Sequence, residues 1–268
     1  MSLTLAELQR LYTQYQRQSY AEPNTEFIRL DNVMRLIWHP HKAGFVIYSN
    51  LTEADAESTI AREIEYFKGL GYDFEWKYFD YDTPDNLPEF LEAAGLEKAE
   101  EEAVMVLPIT DAPSKLLQAP QHDIRKVTTK EMFLELDEVY YEVWKDDPFS
   151  DATPHKMSEW LLPRYESAPE SLSVYLVYVD GKAVSYGRVE YTKGNPFAGI
   201  WGGSTLEAYR RRGIYTDMVA IRLQEARARG CKYLTVDARQ DTSMPILQKL
   251  GFLRIATATA FNWSASTS

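Results

Sequence analysis
Apolar residues recur along this chain at two periods, every second residue in some stretches and every third or fourth in others, and these periods lay out its elements. Leu5, Leu8, Leu11, Tyr12 and Tyr15 share one side of a helix over residues 3–17. The stretch "FIRLDNVMRLIWHPHKAGFVIYSNL" reads as two strand runs around a hairpin turn at "HPHKAG". Thr52 is placed as the N-cap of a helix "EADAESTIAREIEYFKGLGY" that stops at Gly69 or Gly71. A strand "DFEWKYFDYD", a short helix "NLPEFLEAAGL" and a strand "EAVMVLPI" complete the first half.

The second half opens with a helix, "TKEMFLELDEVYYEVWK". An aromatic stretch with Trp144, Phe149, Trp160 and Tyr165 follows, readable either as a lid over a pocket or as an extra helix, "HKMSEWLL". Strands are expected at "LSVYLVYV", "KAVSYGRVEY" and "FAGIWGGSTL". Ile214, Met218, Val219, Ile221, Leu223 and Ala226 then mark a helix with Arg227 and Arg229 in its last turn and Gly230 as its C-terminal cap. Strand "KYLTVDAR", helix "SMPILQKLGF" and strand "RIATATAFNW" end the chain.

The proline-punctuated segment "TDAPSKLLQAPQHD" separates the halves, giving domains over 1–118 and 122–268. Both halves run helix, glycine, aromatic strand, polar turn, short helix and glycine in the same order, which suggests an internal duplication.

Charge sharpens this division. Residues 1–120 hold 10 Lys and Arg against 21 Asp and Glu, so the whole excess of the net charge of -11 lies in the first half. An acidic chain is a poor partner for nucleic acid, whose affinity comes from cations meeting phosphates. A lone cysteine, Cys231, allows no internal disulfide and is expected in the core. The chain shows neither a signal segment nor an apolar run that could span a bilayer, so a cytoplasmic protein with no membrane partner is expected. His39 and His41 have metal-ligand spacing, but a hairpin tip without nearby Cys or carboxylates argues against a metal site.

The candidate chemistry lies at "STLEAYRRRGIYTDMV". A strand that turns tightly into a helix leaves first-turn N–H groups unpaired beside the positive end of the helix dipole, and this makes an anion site. Gly213 permits close approach, and Arg210, Arg211 and Arg212 add charge. Neither a P-loop nor a dinucleotide fingerprint is present.

That stretch, followed later by "YLTVDARQDTSMPILQKLGF", resembles the GNAT superfamily of N-acetyltransferases, whose signature Q/R-x-x-G-x-G/A maps onto Arg210, Gly213 and Tyr215. The resemblance covers roughly residues 122–268, and the first half looks like a degenerate copy without the signature. It implies an α/β fold of two GNAT-like domains, each a mixed, mostly antiparallel sheet flanked by helices. It further implies acetyl-CoA as cosubstrate and a small-molecule or peptide amine as acceptor, with a homodimer left open. The amine would attack the thioester directly. Thr205, Leu206, Arg211, Arg212, Gly213, Ile214, Tyr215, Thr216 and Gln240 are the residues it assigns to the cofactor.

The family's usual catalytic Glu and Tyr are replaced here by Thr235 and Leu247. Glu190, Asp237 and Tyr215 are the candidates left by placement, each with an ordinary alternative as a rim residue, a strand-end ion pair or a packed helix residue. A non-catalytic acyl-CoA-binding or interaction module is the rival reading.

Overall fold
The computed structural model describes residues 3–20, 25–146 and 153–265, and Phe149 of the aromatic stretch lies outside them. The chain forms two compact units. The first comprises residues 1–105, 237–247 and 253–268; the second comprises 106–236 and 248–252.

In the first unit, α1 (Leu5–Tyr12) is capped by Thr4 and continues as a π-helical turn over Thr13–Arg17, so the expected single helix changes its winding near its end. The first expected strand run breaks at Asp31 and Asn32 into β1 (Glu26–Arg29) and β2 (Val33–Trp38), because Leu30 N–H closes a turn onto the Val33 carbonyl. β3 (Ala43–Ser49), α2 (Glu53–Leu70), β4 (Asp73–Phe79), α3 (Leu87–Ala93) and β5 (Glu97–Pro108) follow, the last running into the second unit. The strand order here is β1-β2-β3-β4-β11-β5, with β11 (Leu253–Trp263) supplied by the chain end. Only β3 and β4 pair in parallel among β1 to β4; β11 runs antiparallel to β4. Ile60, Phe67, Phe74, Trp76 and Phe261 fill the core between this sheet and α2.

In the second unit, α4 (Ser114–Leu117) and a short edge strand, β6 (Asp123–Lys126), precede α5 (Lys130–Trp144) and α6 (Lys156–Ser167). β6 escapes sequence reading because it is brief and almost wholly polar, held by its ladder to β7. β7 (Leu172–Val179), β8 (Lys182–Tyr191), β9 (Phe197–Thr205), α7 (Ile214–Ala228) and β10 (Tyr233–Arg239) follow, with β10 passing back into the first unit at Asp237, where most of α8 (Ser243–Lys249) belongs. The order is β10-β9-β8-β7-β6, antiparallel except for the parallel pair β9–β10. Each unit is thus the expected mixed, mostly antiparallel sheet with flanking helices.

The two faces of the second sheet differ. Val174, Leu176, Tyr178 and Tyr186 pack with Phe133, Leu136 and Leu161 of α5 and α6. On the other face, Ser173 and Tyr175 of β7 donate to Glu225 of α7 at 2.8 and 2.6 Å. Cys231 is half-buried rather than a core residue, because it directly follows Gly230, where α7 ends in a left-handed turn (φ 80°) that brings the chain back to the surface.

Candidate active site
The site begins where the β9–β10 ladder stops. Tyr233, Leu234 and Thr235 pair with Phe197, Ala198 and Gly199, while β9 runs on to Thr205. A strand that outlives its ladder presents unpaired backbone groups that can take an added extended segment. On its other side β9 pairs with β8, and the register slips between Tyr186 and Arg188, producing a bulge at Gly202 and Gly203.

Glycine is needed at both bulge positions. Gly202 has φ 63°, and a Cβ there would stand 2.8 Å from Tyr186 Cε2, 3.0 Å from Arg188 Nη1 and 3.2 Å from Tyr186 Oη. A Cβ at Gly203 would stand 2.8 Å from Tyr215 Cε2. This explains the departure at Tyr215. The volume that the Tyr215 ring takes at the helix entrance is returned by a glycine on the facing strand.

Beyond β9 the chain turns into α7. Arg211 (φ 62°) and Gly213 (φ 86°) are both left-handed, and among the described residues no side chain caps the helix. Its first amides are therefore left for solvent or a ligand. Two of the three arginines work on the loop itself. Arg210 Nε donates to the Thr205 carbonyl at 3.1 Å, and Arg212 Nη2 to the Ala208 carbonyl at 2.9 Å while its guanidinium lies over Tyr209. Asp217, in the helix's first turn, accepts from the Gln121 and His122 amides at 2.8 and 3.1 Å and sits 2.7 Å from His122 Nδ1. His122 is thereby fixed beside Gly213, 3.8 Å from where its Cβ would stand.

The other expected residues are distributed as follows. Thr205 closes β9, its hydroxyl 2.9 Å from Ser185 Oγ. Leu206 is committed to the fold, donating to the Val184 carbonyl and accepting from Tyr209 N–H. Ile214 is buried under the helix start, and Thr216 is half-buried in the first turn. Glu190 is 7% exposed and lies 2.7 Å from Arg188 Nε and 3.1 Å from Arg164 Nη1. Burial raises its pKa, but the two guanidinium groups outweigh this and hold it below the carboxylate range. Asp237 and Gln240 belong to the first unit, where Asp237 is ion-paired with Lys77. Of the three catalytic candidates, Tyr215 alone lies against the β9 bulge.

Sequence reading missed a polar group on the α5 face of that bulge. Trp144 Nε1 donates to Ser204 Oγ at 3.0 Å, and the buried Tyr186 phenol meets both residues beside Gly202. Burial pushes the Tyr186 phenol up to about 12. The signal was the glycine pair of "WGGS" inside a strand, which marks a bulge or a close backbone approach.

The second unit is thus a mixed α/β fold with a parallel pair that ends early, a bulged central strand and an uncapped helix start after a glycine turn. Residues 130–252 match the Acetyltransferase (GNAT) family, and the chain carries a GNAT domain over that span. No curated relative matches the chain by sequence. Among solved structures, a GCN5-related N-acetyltransferase from Kribbella flavida is similar, with TM-score 0.67, 15% identity, and coverage of 98% of this chain and 96% of that one. A functionally unknown conserved protein from Staphylococcus epidermidis follows at TM-score 0.66, 15% identity and coverage of 91% and 95%. A tandem GNAT protein from the clavulanic acid biosynthesis pathway gives TM-score 0.63, 12% identity and coverage of 92% and 85%. At these identities the likeness is one of fold, and it extends over nearly the whole chain.

Proposed function
We propose that the second unit binds acetyl-CoA and transfers its acetyl group to a primary amine. One observation carries the reading: β9 outlives its ladder and leads, through the turn Glu207–Tyr209, into an uncapped helix start with glycine at its entrance. The residues fit the cofactor, because an extended arm can pair along β9 while a diphosphate lies at the first turn of α7. Bound there, coenzyme A supplies an acyl group activated as a thioester.

The chain's own residues have separate tasks in this reading. The backbone amides from Arg211 to Thr216 hold the diphosphate, with Arg210 and Arg212 keeping the loop in shape. Thr205 ends the strand that receives the arm. At the bulge, Tyr186 and Ser204 are the groups through which a proton can pass, since Glu190 is engaged by two arginines and Asp237 by Lys77. The first unit is proposed to be a degenerate copy of the second. No helix among the described residues is long and apolar enough to cross a membrane, which agrees with a cytoplasmic enzyme.

The test is calorimetric titration with acetyl-CoA, followed by thiol release across a panel of amines. Binding with turnover supports the reading. Binding without turnover on any amine favours the non-catalytic acyl-CoA module, which the buried Thr235 and Leu247 at the family's usual acid–base positions recommend. No binding at millimolar ligand refutes both.

A further inference from the structure
Both units hold the bulged strand of their parallel pair with a buried arginine, and the two arginines differ in one respect. In the first unit β3 slips register against β2 between Met34 and Arg35, leaving Ile47 without a partner. Arg17 Nε donates to the Ile47 carbonyl at 2.9 Å, and its two terminal nitrogens each meet an Asp82 oxygen at 2.7 Å. Its charge is neutralised.

In the second unit the corresponding task falls to Arg222 of α7, which is 1% exposed. Its Nη1 donates to the carbonyls of Arg188 and Trp201, the β8 and β9 register partners at one edge of the slip, at 3.2 and 3.3 Å, and its Nε to the Met218 carbonyl at 2.9 Å. Among the described residues Nη2 has no partner, and it lies 3.6 Å from where a Cβ of Gly203 would stand. None of its hydrogen-bond partners is a carboxylate. Burial draws its pKa down to about 10, which still leaves it charged at neutral pH. The groups whose charge bears on it are phenols, Tyr215 on its own helix, Tyr175 on β7 and Tyr191 on β8, and the cation of Arg188.

A buried donor left without an acceptor is costly, and more so when charged. A fold keeps such a group where something else uses it. We infer that Arg222 is a positioning residue for the acyl donor: it fixes the carbonyls at the β9 bulge so that the strand's free amides face the donor arm, and its unneutralised charge favours electron density on an acyl oxygen held by those amides. The inference rests on the acetyl-CoA reading above. The physical logic is preorganisation, in which a fixed positive group near developing negative charge acts without reorganising. Arg17, with Asp82 beside it, can shape its strand but provides no such field.

Arg222→Met, Arg222→Lys and wild type are compared for CoA binding by calorimetry, melting temperature, and kcat and KM for acetyl-CoA with an accepted amine. Arg222→Met is expected to weaken CoA binding by no more than about fivefold, since the arm's strand loosens while the diphosphate site is untouched, and to lose at least about 30-fold in kcat. Arg222→Lys, which keeps the charge, is expected to recover kcat to within about fivefold. A Met variant with kcat within threefold of wild type overturns the inference, as does a kcat loss matched by an equal loss of CoA affinity. If the Met variant melts below the assay temperature, Arg222→Gln replaces it under the same criteria. Failure of wild type to bind CoA would sink the cofactor reading instead.

Discussion

The same construction occurs twice in this molecule, once closed and once open. In the first unit, β3 and β4 pair from Ala43 and Asp73 to Val46 and Trp76, and then the ladder stops. Arg17 enters from the N-terminal helix, takes the Ile47 carbonyl, chelates Asp82 and stacks its guanidinium 3.9 Å from the Phe79 ring centroid. The following helix, α2, closes its own start: Thr52 and Asp55 form a capping box, and Glu53 and Asp55 put acidic charge in the first turn. In the second unit the ladder stops at Thr235 and Gly199, β9 runs on, and α7 starts uncapped after Gly213 beside three arginines. The first helix start carries two acids and the second one, Asp217, which is already held by the Gln121 and His122 amides. The two starts thus differ in a capping box and in a buried arginine that is neutralised in one unit and not in the other.

The largest effect should come from reopening the closed copy. Arg17→Ala leaves Asp82 buried without its partner, and breaking a buried pair from one side costs about 3–5 kcal/mol. Chemical denaturation should register that loss without any gain of CoA binding, since α2 still caps itself. Next in size is the bulge of the open copy, where Tyr186→Phe should lower kcat by about 100-fold if the phenol carries a proton, with CoA affinity unchanged. Steady-state kinetics beside calorimetry reads both quantities. A smaller loss, at least about tenfold in CoA affinity, is expected for Gly213→Val, which forces a branched side chain into a left-handed turn at the cradle.

The smallest effect concerns acid stability. Burial raises the pKa of Glu225, but hydrogen bonds from Tyr175, Lys126 and Ser173 outweigh it and bring it to about 2. A carboxylate depressed in the fold stabilises above its ordinary value near ~4.3 and loses that contribution as pH falls through the folded value. Melting temperature should therefore drop between about pH 4.5 and 2. Glu225→Gln should flatten that slope while leaving CoA binding intact.

Local signals made one wall of the site legible in the sequence. "RRRGIY" after a strand and before an amphipathic helix suffices to place the anion site, because glycine, helix start and charge are all contiguous. The arginines' division of labour was not legible, since Arg210 and Arg212 bind carbonyls five and four residues back and only the folded loop defines that reach. Glu190 read as a rim residue because its neutralising Arg164 is distant in sequence. Arg17 gives no local hint of a role inside a strand pair thirty residues away. Arg222 did leave a trace: it follows Met218 by four residues and precedes Ala226 by four, on the buried stripe of α7. A charge on that stripe signals either an ion pair or a task, and Glu225, three residues on, is taken by Ser173, Tyr175 and Lys126 from other elements, which only the fold reveals.

One titration tests the contrast between the copies. Calorimetry of the full chain with CoA should give one site per chain, absent or severely weakened in Gly213→Val and unchanged in Thr52→Ala. Two sites per chain, no site, or one site that survives Gly213→Val at full affinity would contradict the assignment of the open cleft to the second unit.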